Sequence, residues 1–199
     1  MSPYPAQTNR ETIIETARKL IERDGVDGLS LAQLADELGI KAPSLYRHVT
    51  SKTALLQAVI ERTYQQLFRA YQQALTSASE EPKERLVALF HAHRSFAQAN
   101  PNTYILAFTA TDPELRTDPG YLEGQAVGIQ RIMAQISGEE QSLSALRGAL
   151  ALVHGYVMLE IKGQLQRGSD LSAAFDAAVN AYLKGWEQVQ TQANRLIVS

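Results

Sequence analysis

The segment LSLAQLADELGIKAPSLYRHVTSK, residues 29–52, constrains the fold of this chain more than any other. Two short runs with apolar residues at helical spacing meet at Gly39-Ile40. Ser30 is placed to cap the first run, whose Leu31, Leu34, Ala35 and Leu38 form one stripe. Gly39 permits a tight turn. Pro43 then falls in the first turn of a second helix, where its missing N–H is no loss. Leu34, Leu38, Ile40, Leu45 and Val49 are expected to form the core that fixes the angle between the two. That is the pattern of a helix-turn-helix whose second helix lies in the major groove of DNA.

The remaining chain is helical in period. Asn9 is placed to cap a helix carrying Ile13, Ile14, Ala17, Leu20 and Ile21 inward, stopped at Asp24-Gly25. Ser51 caps a long helix over about 51–76 through Leu55, Leu56, Val59 and Ile60. Ser77–Pro82 is a boundary, followed by a helix over about 83–98 and a short one opened by Asn100-Pro101. Thr109–Gly120 holds two Asp-Pro pairs and reads as loop or broken helix. Helical patterns return at about 119–137, 140–167 and 170–193, separated by Ser137-Gly138 and by Arg167-Gly168-Ser169. Met1–Thr8, with two prolines and little periodicity, is expected to be a mobile arm. No segment alternates with period two, so the fold is expected to be all-α with about nine helices. A three-helix N-terminal head, residues 1–54, stands before a larger helical bundle, residues 55–199.

A net charge of −2 argues against nucleic acid only while the chain is averaged. Between Leu38 and Ile60 lie Lys41, Arg47, Lys52 and His48 and no acid, a cationic window able to meet phosphates. The absence of cysteine excludes disulfides, thiolate metal sites and thiol nucleophiles. No apolar run approaches the ~18–20 residues of a membrane span, and the N-terminus lacks a signal-peptide core. A cytoplasmic protein that touches no membrane is the expectation. His91-Ala92-His93 does not make a metal pair, because residues two apart on a helix point about 200° from each other. Neither HExxH, a phosphate-cradling glycine loop nor a nucleophile elbow is present, so no enzyme, metal or cofactor is expected.

Base edges in a major groove are read by side chains near the N-terminal end of the inserted helix. Here Ala42, Pro43 and Ser44 occupy that end. Pro43 offers an apolar ring to a thymine methyl, and Ser44 can donate to a base or a phosphate. Arg47 is the one side chain able to grip guanine with two hydrogen bonds, a contact worth about 1–3 kcal/mol of discrimination. Tyr46, His48 and Lys52 supply donors for phosphate oxygens, with Lys41 and Ser30 counted beside them. The ordinary alternatives are a half-buried Tyr46 between helices and a merely solvated Arg47 or His48.

Residues 9–56 resemble the N-terminal domain of the tetracycline-repressor (TetR) family of one-component regulators. The resemblance is carried by an opening helix ending in Gly25 and by "LAxxLGI", "PSLYxHV" and "SKxALL" at fixed offsets. It implies that Pro43, Ser44, Tyr46, Arg47, His48 and Lys52 face DNA. The sequence departs from the tetracycline repressor itself at Ala32 and Ala42, where that protein has longer polar base readers. Residues 96–108 (FAQANPNTYILAF), 151–160 (ALVHGYVMLE) and 177–186 (AAVNAYLKGW) are similar to the C-terminal domain of a subgroup named for a Trp-His-Gly motif. Here Val153-His154-Gly155 keeps the His-Gly and lacks the Trp.

The resemblance implies a dimer, since such heads work in pairs over two half-sites of double-stranded operator DNA. Leu143, Leu146, Leu150, Val153, Val157 and Leu159 through Leu165 give one apolar helix face, and Phe175, Val179, Tyr182, Leu183 and Trp186 another. One face is expected inward and one in the subunit contact of a homodimer. An inducer pocket between C-terminal helices is also implied. Its candidate lining is Phe90, Arg94, Tyr104, Phe108, Tyr121, Met133, His154 and Met158, apolar with a few polar groups. A core stripe at helical spacing is the competing reading of that same set. The expectation is a ligand-responsive transcriptional regulator, most simply a repressor. The alternative is a helical interaction or structural module with a borrowed head and no inducer.

Overall fold

A computed structural model of the chain describes residues 9–168 and 170–198, with side chains as far as residue 192. The arm expected over Met1–Thr8 lies outside the described residues. Among those described there are nine α-helices and one 3-10 turn, with no strand. The helices are α1 (Arg10–Gly28), α2 (Leu31–Glu37), α3 (Ala42–Leu45), α4 (Lys52–Ser77), α5 (Pro82–Ala99), α6 (Pro101–Thr109), α7 (Pro119–Ser137), α8 (Ser142–Ile161) and α9 (Leu171–Val198). The 3-10 turn is Pro113–Leu115, inside the segment expected to be irregular. The all-α expectation holds.

Local chemistry explains the boundaries. Asn9 accepts the Thr12 N–H at 2.9 Å and opens α1, while Gly25 at φ 75° and ψ 171° breaks it before a last turn reaches Gly28. The pattern continued to residue 167 in the eighth helix, yet α8 stops at Ile161. There Gly163 adopts φ 64°, its N–H bonds to the Glu160 carbonyl, and the Gln164 N–H reaches back to Leu159. This is the Schellman arrangement, which satisfies the last carbonyls and ends the helix whatever apolar residues follow. The ninth helix runs on to Val198, past the expected end near 193.

The chain forms two compact units. One gathers residues up to Gln66 together with Asn100–Asp118; the other gathers Leu67–Ala99 and the chain from Pro119 onward. The first has a core of Ile13, Ile14, Ala17, Leu20 and Ile21 from α1, Leu34 and Ala35 from α2, and Leu45 and Val49 around α3. Leu55, Leu56, Val59 and Ile60 from α4 complete it, and Leu106 from α6 packs among them. Leu38 and Ile40 lie partly buried against this core. Each large side chain so enclosed contributes roughly 1.5–3 kcal/mol of hydrophobic stabilisation.

In the second unit α7 packs on α5, α8 and α9. Residues Ala145, Ala149, Val153 and Val157, four apart on α8, are buried, as are Phe175, Val179 and Leu183 of α9. Gly148 allows a close approach between helices: a Cβ there would meet the Tyr182 hydroxyl, which donates to the Ala145 carbonyl. Against the expectation that no run nears a membrane span, α8 is long and apolar enough by composition, with mean hydropathy 1.3. Only 28% of that window is buried within the chain, and Leu143, Leu150 and Leu159 remain exposed.

Candidate nucleic-acid interface

The helix-turn-helix is assembled from three hydrogen-bonded corners. Ser30 Oγ accepts the Gln33 N–H at 3.1 Å and starts α2, its hydroxyl proton still available to donate. At the far end of α2, Gly39 sits at φ 64°; its N–H bonds to Asp36 and the Ile40 N–H to Ala35, each at 3.0 Å. Lys41 then takes extended backbone at φ −80° and ψ 145°, and its carbonyl receives the Ser44 N–H at 2.8 Å. Ser51 Oγ accepts the Ala54 N–H at 3.0 Å and opens α4, with Lys52 in the first turn.

Between these corners α3 and its trailing turn are one short rod. Leu45 and Val49, one helical turn apart, are buried at 0% and 6% exposure, and the Val49 N–H bonds to the Leu45 carbonyl. With those two pinned inward, Lys41, Ala42, Pro43, Ser44, Arg47 and His48 are exposed, and Tyr46 stands 51% exposed. Tyr46 therefore lies outside the buried core of the head. Among the described residues Lys41, Arg47 and Lys52 enter no ion pair within the protein, so their charge is presented to solvent. The nearby acid at the end of α1 is occupied: Arg23 and Gln33 hydrogen-bond the Asp24 carboxylate and hold it below its ordinary pKa.

The eight candidate ligand contacts divide between the units. Tyr104 and Phe108 belong to the first, where Tyr104 is fully buried and stacks on Phe108 with ring centroids 4.4 Å apart. Burial pushes the Tyr104 phenol well above its ordinary pKa. Phe90, Arg94, Tyr121, Met133, His154 and Met158 belong to the second. Phe90 and Met133 are buried, and Tyr121 meets Phe68 edge-on. Arg94 is engaged by two parallel hydrogen bonds to Glu160, at 3.0 and 2.7 Å, and its guanidinium lies over the Phe175 ring.

Sequence reasoning weighed His93 only as a metal ligand and passed over Tyr71. The Tyr71 hydroxyl meets His93 Nδ1, and His93 is 2% exposed. Burial, with the neighbouring His154, lowers the His93 pKa to about 3. His91, two residues away, turns outward and places Nε2 3.0 Å from Asp176. The signal that could have found the buried pair was the aromatic stripe of Phe68 and Tyr71, three residues apart on α4, of which Tyr71 meets α5.

Comparison with known proteins agrees with this geometry. The model for bacterial regulatory proteins of the tetR family matches residues 13–59, and that for the tetracyclin repressor-like C-terminal domain matches residues 86–182. An uncharacterized HTH-type transcriptional regulator of Mycobacterium tuberculosis is 32% identical over 192 residues, covering 94% of this chain and 85% of the relative. A protein of unknown function from Rhodococcus sp. RHA1 superposes with a TM-score of 0.81 at 27% identity, over 94% of this chain and 100% of its own. A TetR variant from Acinetobacter baumannii AYE in complex with minocycline shares the fold, with a TM-score of 0.70 at 23% identity over 92% and 98%. A head built to present one short helix outward, joined to relatives that match nearly end to end, places this chain in the tetracycline-repressor family of bacterial transcriptional regulators.

Proposed function

We propose that this regulator is a homodimeric repressor that binds double-stranded operator DNA and leaves it when a small-molecule inducer binds. One observation carries the DNA assignment: Leu45 and Val49 are buried while every polar side chain between Lys41 and His48 is exposed. On this reading Ala42, Pro43, Ser44 and Arg47 meet base edges, and Ser30, Lys41, Tyr46, His48 and Lys52 meet the phosphate backbone. Residues 1–54 then touch DNA, backed by the 100–118 segment that folds with them, and the remainder of 55–199 senses and dimerises, at work in the cytoplasm.

Dimerisation is supported by α8. A helix this apolar that leaves leucines exposed calls for a partner, and a second copy supplies the same face under two-fold symmetry. Exposed Leu143 and Leu150, seven residues apart and so on one face of α8, form the subunit contact together with Val189 of α9. A ligand site in the second unit is supported by aromatic and polar groups on one set of helices: Phe90, Tyr121 and His154 with the added His93 and Tyr71. The fold shared with a protein solved in complex with minocycline supports it further. The His154-Gly155 pair is our basis for assigning the Trp-His-Gly subgroup.

Two heads must sit about one helical turn of DNA apart, ~34–36 Å, to read both half-sites. Inducer binding favours a conformer with another separation, and α4, which contributes to both units, carries the difference. A coupling of about 1–3 kcal/mol is enough. The test is selection of duplexes from a random library by the purified full-length protein, followed by titration of the selected sites at several salt concentrations. The expected result is ~nM, salt-sensitive, sequence-dependent binding. Equal affinity for selected and scrambled duplexes would remove the proposal.

A further inference from the structure

The N-terminus of α6 is capped in an unusual way. Asn100-Pro101 is a sequence signature in which the Asn side chain accepts the N–H of the second or third helical residue. Here Asn100 makes no such bond, and its backbone stands at φ −136° and ψ 54° instead of the extended geometry of an ordinary cap. Its Oδ1 accepts from Arg18 Nη2 of α1 at 2.9 Å. The two N–H groups it would have held are taken by Glu22, a residue of α1 about eighty positions earlier. Asn102 N–H donates to Oε2 at 3.0 Å, and Thr103 N–H to Oε1 at 2.9 Å. The Thr103 hydroxyl also donates to Oε1, and Asn102 Nδ2 donates to the Glu22 carbonyl at 3.0 Å.

A carboxylate opposite a helix N-terminus is favourable both for its hydrogen bonds and for the macrodipole. So α1 lends α6 a stronger cap than α6 carries, and engages the native one through Arg18. We infer that Glu22 and Asn100 are interchangeable caps for α6: Glu22 holds it docked on α1, and Asn100 takes over the same two N–H groups when α6 leaves. This makes α6 a two-position element. Undocking costs the Glu22 bonds and the burial of Leu106 in the first unit's core, but the helix itself stays capped and intact. A helix with only the borrowed cap would instead unravel from Asn102 as it left. The consequence for DNA binding rests on the repressor reading above; the exchange of caps does not, and its test reads the helix alone.

The test is amide hydrogen exchange by NMR on the full-length protein, comparing wild type, E22A, N100A and the double variant at Asn102 and Thr103. Losing a sole cap speeds exchange of such amides by about five-fold. With interchangeable caps, N100A changes these rates by less than about two-fold in wild type and by about five-fold in the E22A background. If Glu22 is the sole cap, E22A speeds them fully and N100A adds nothing in either background. An effect of N100A that is equal in the two backgrounds overturns the inference. Thermal unfolding followed by circular dichroism establishes that E22A is folded; should it fail, E22Q, which retains one acceptor oxygen, takes its place in the cycle under the same criterion.

Discussion

Acid should unfold this protein partly through a single buried ring. His93 is 2% exposed, and its pKa falls from an unfolded value of about 6.5 to about 3 in the folded chain. A group with a depressed folded pKa contributes stability that is complete above its unfolded pKa and is lost as pH falls toward the folded one. Within that window the unfolded chain holds one proton more, so stability drops by up to about 1.4 kcal/mol per pH unit. Between pH 6 and pH 4 the loss traceable to His93 is about 2.5 kcal/mol. Carboxylates add their own acid loss, and the half-buried His154, also lowered by burial, adds another. The informative quantity is therefore the difference from His93→Asn, whose amide can still meet the Tyr71 hydroxyl that Nδ1 meets now. The smaller side chain leaves a void that lowers stability by a constant amount at every pH. Urea unfolding followed by Trp186 fluorescence from pH 4 to 7 gives both curves. The wild-type curve should fall more steeply by the stated amount, and parallel curves would refute the assignment of a neutral buried imidazole.

Other consequences are equally direct. Arg47→Ala should cost about 1–3 kcal/mol on the selected operator and relax preference at one base pair, while Lys52→Ala should weaken all duplexes alike and reduce the salt slope by about one; anisotropy titrations distinguish them. Glu160→Ala strands the Arg94 guanidinium, whose side chain is 11% exposed against 12% for its partner. It should lower stability by about 3–5 kcal/mol, and Arg94→Met added to it should recover part of that loss in urea unfolding. Leu150→Glu sets a charge in the exposed face of α8 and should convert a dimer to monomer in sedimentation equilibrium, with unfolding per chain little changed above the dissociation point.

What could be read from residues alone was whatever the backbone decides within a few positions. Asn9, Ser30 and Ser51 bond the N–H groups three residues ahead, and Gly39 turns through positive φ, each as its type and place imply. Leu34, Leu45 and Val49 bury because their spacing puts them on one side. The end of α8 was not legible by that route. Gly148, Gly155 and Gly163 are chemically alike, and only packing shows that the first admits Tyr182 while the last leaves the helix. Partnerships across tens of residues were also hidden: Glu22 with α6, and Tyr71 with His93. Helical period marks an inward face but does not say which inward polar group meets which. The outward side of α3 was readable for the converse reason, since two buried leucine and valine positions fix where their neighbours must point.

Leu106 and its segment have a practical meaning for anyone building chimaeras. The part that carries the helix-turn-helix is not a cassette cut from one end of the gene, because α1 packs on α6 and the stretch from Asn100 to Asp118 folds with it. Grafting a foreign reader onto this sensor, or this reader onto another, must transplant that stretch too, or leave two halves of a contact evolved apart.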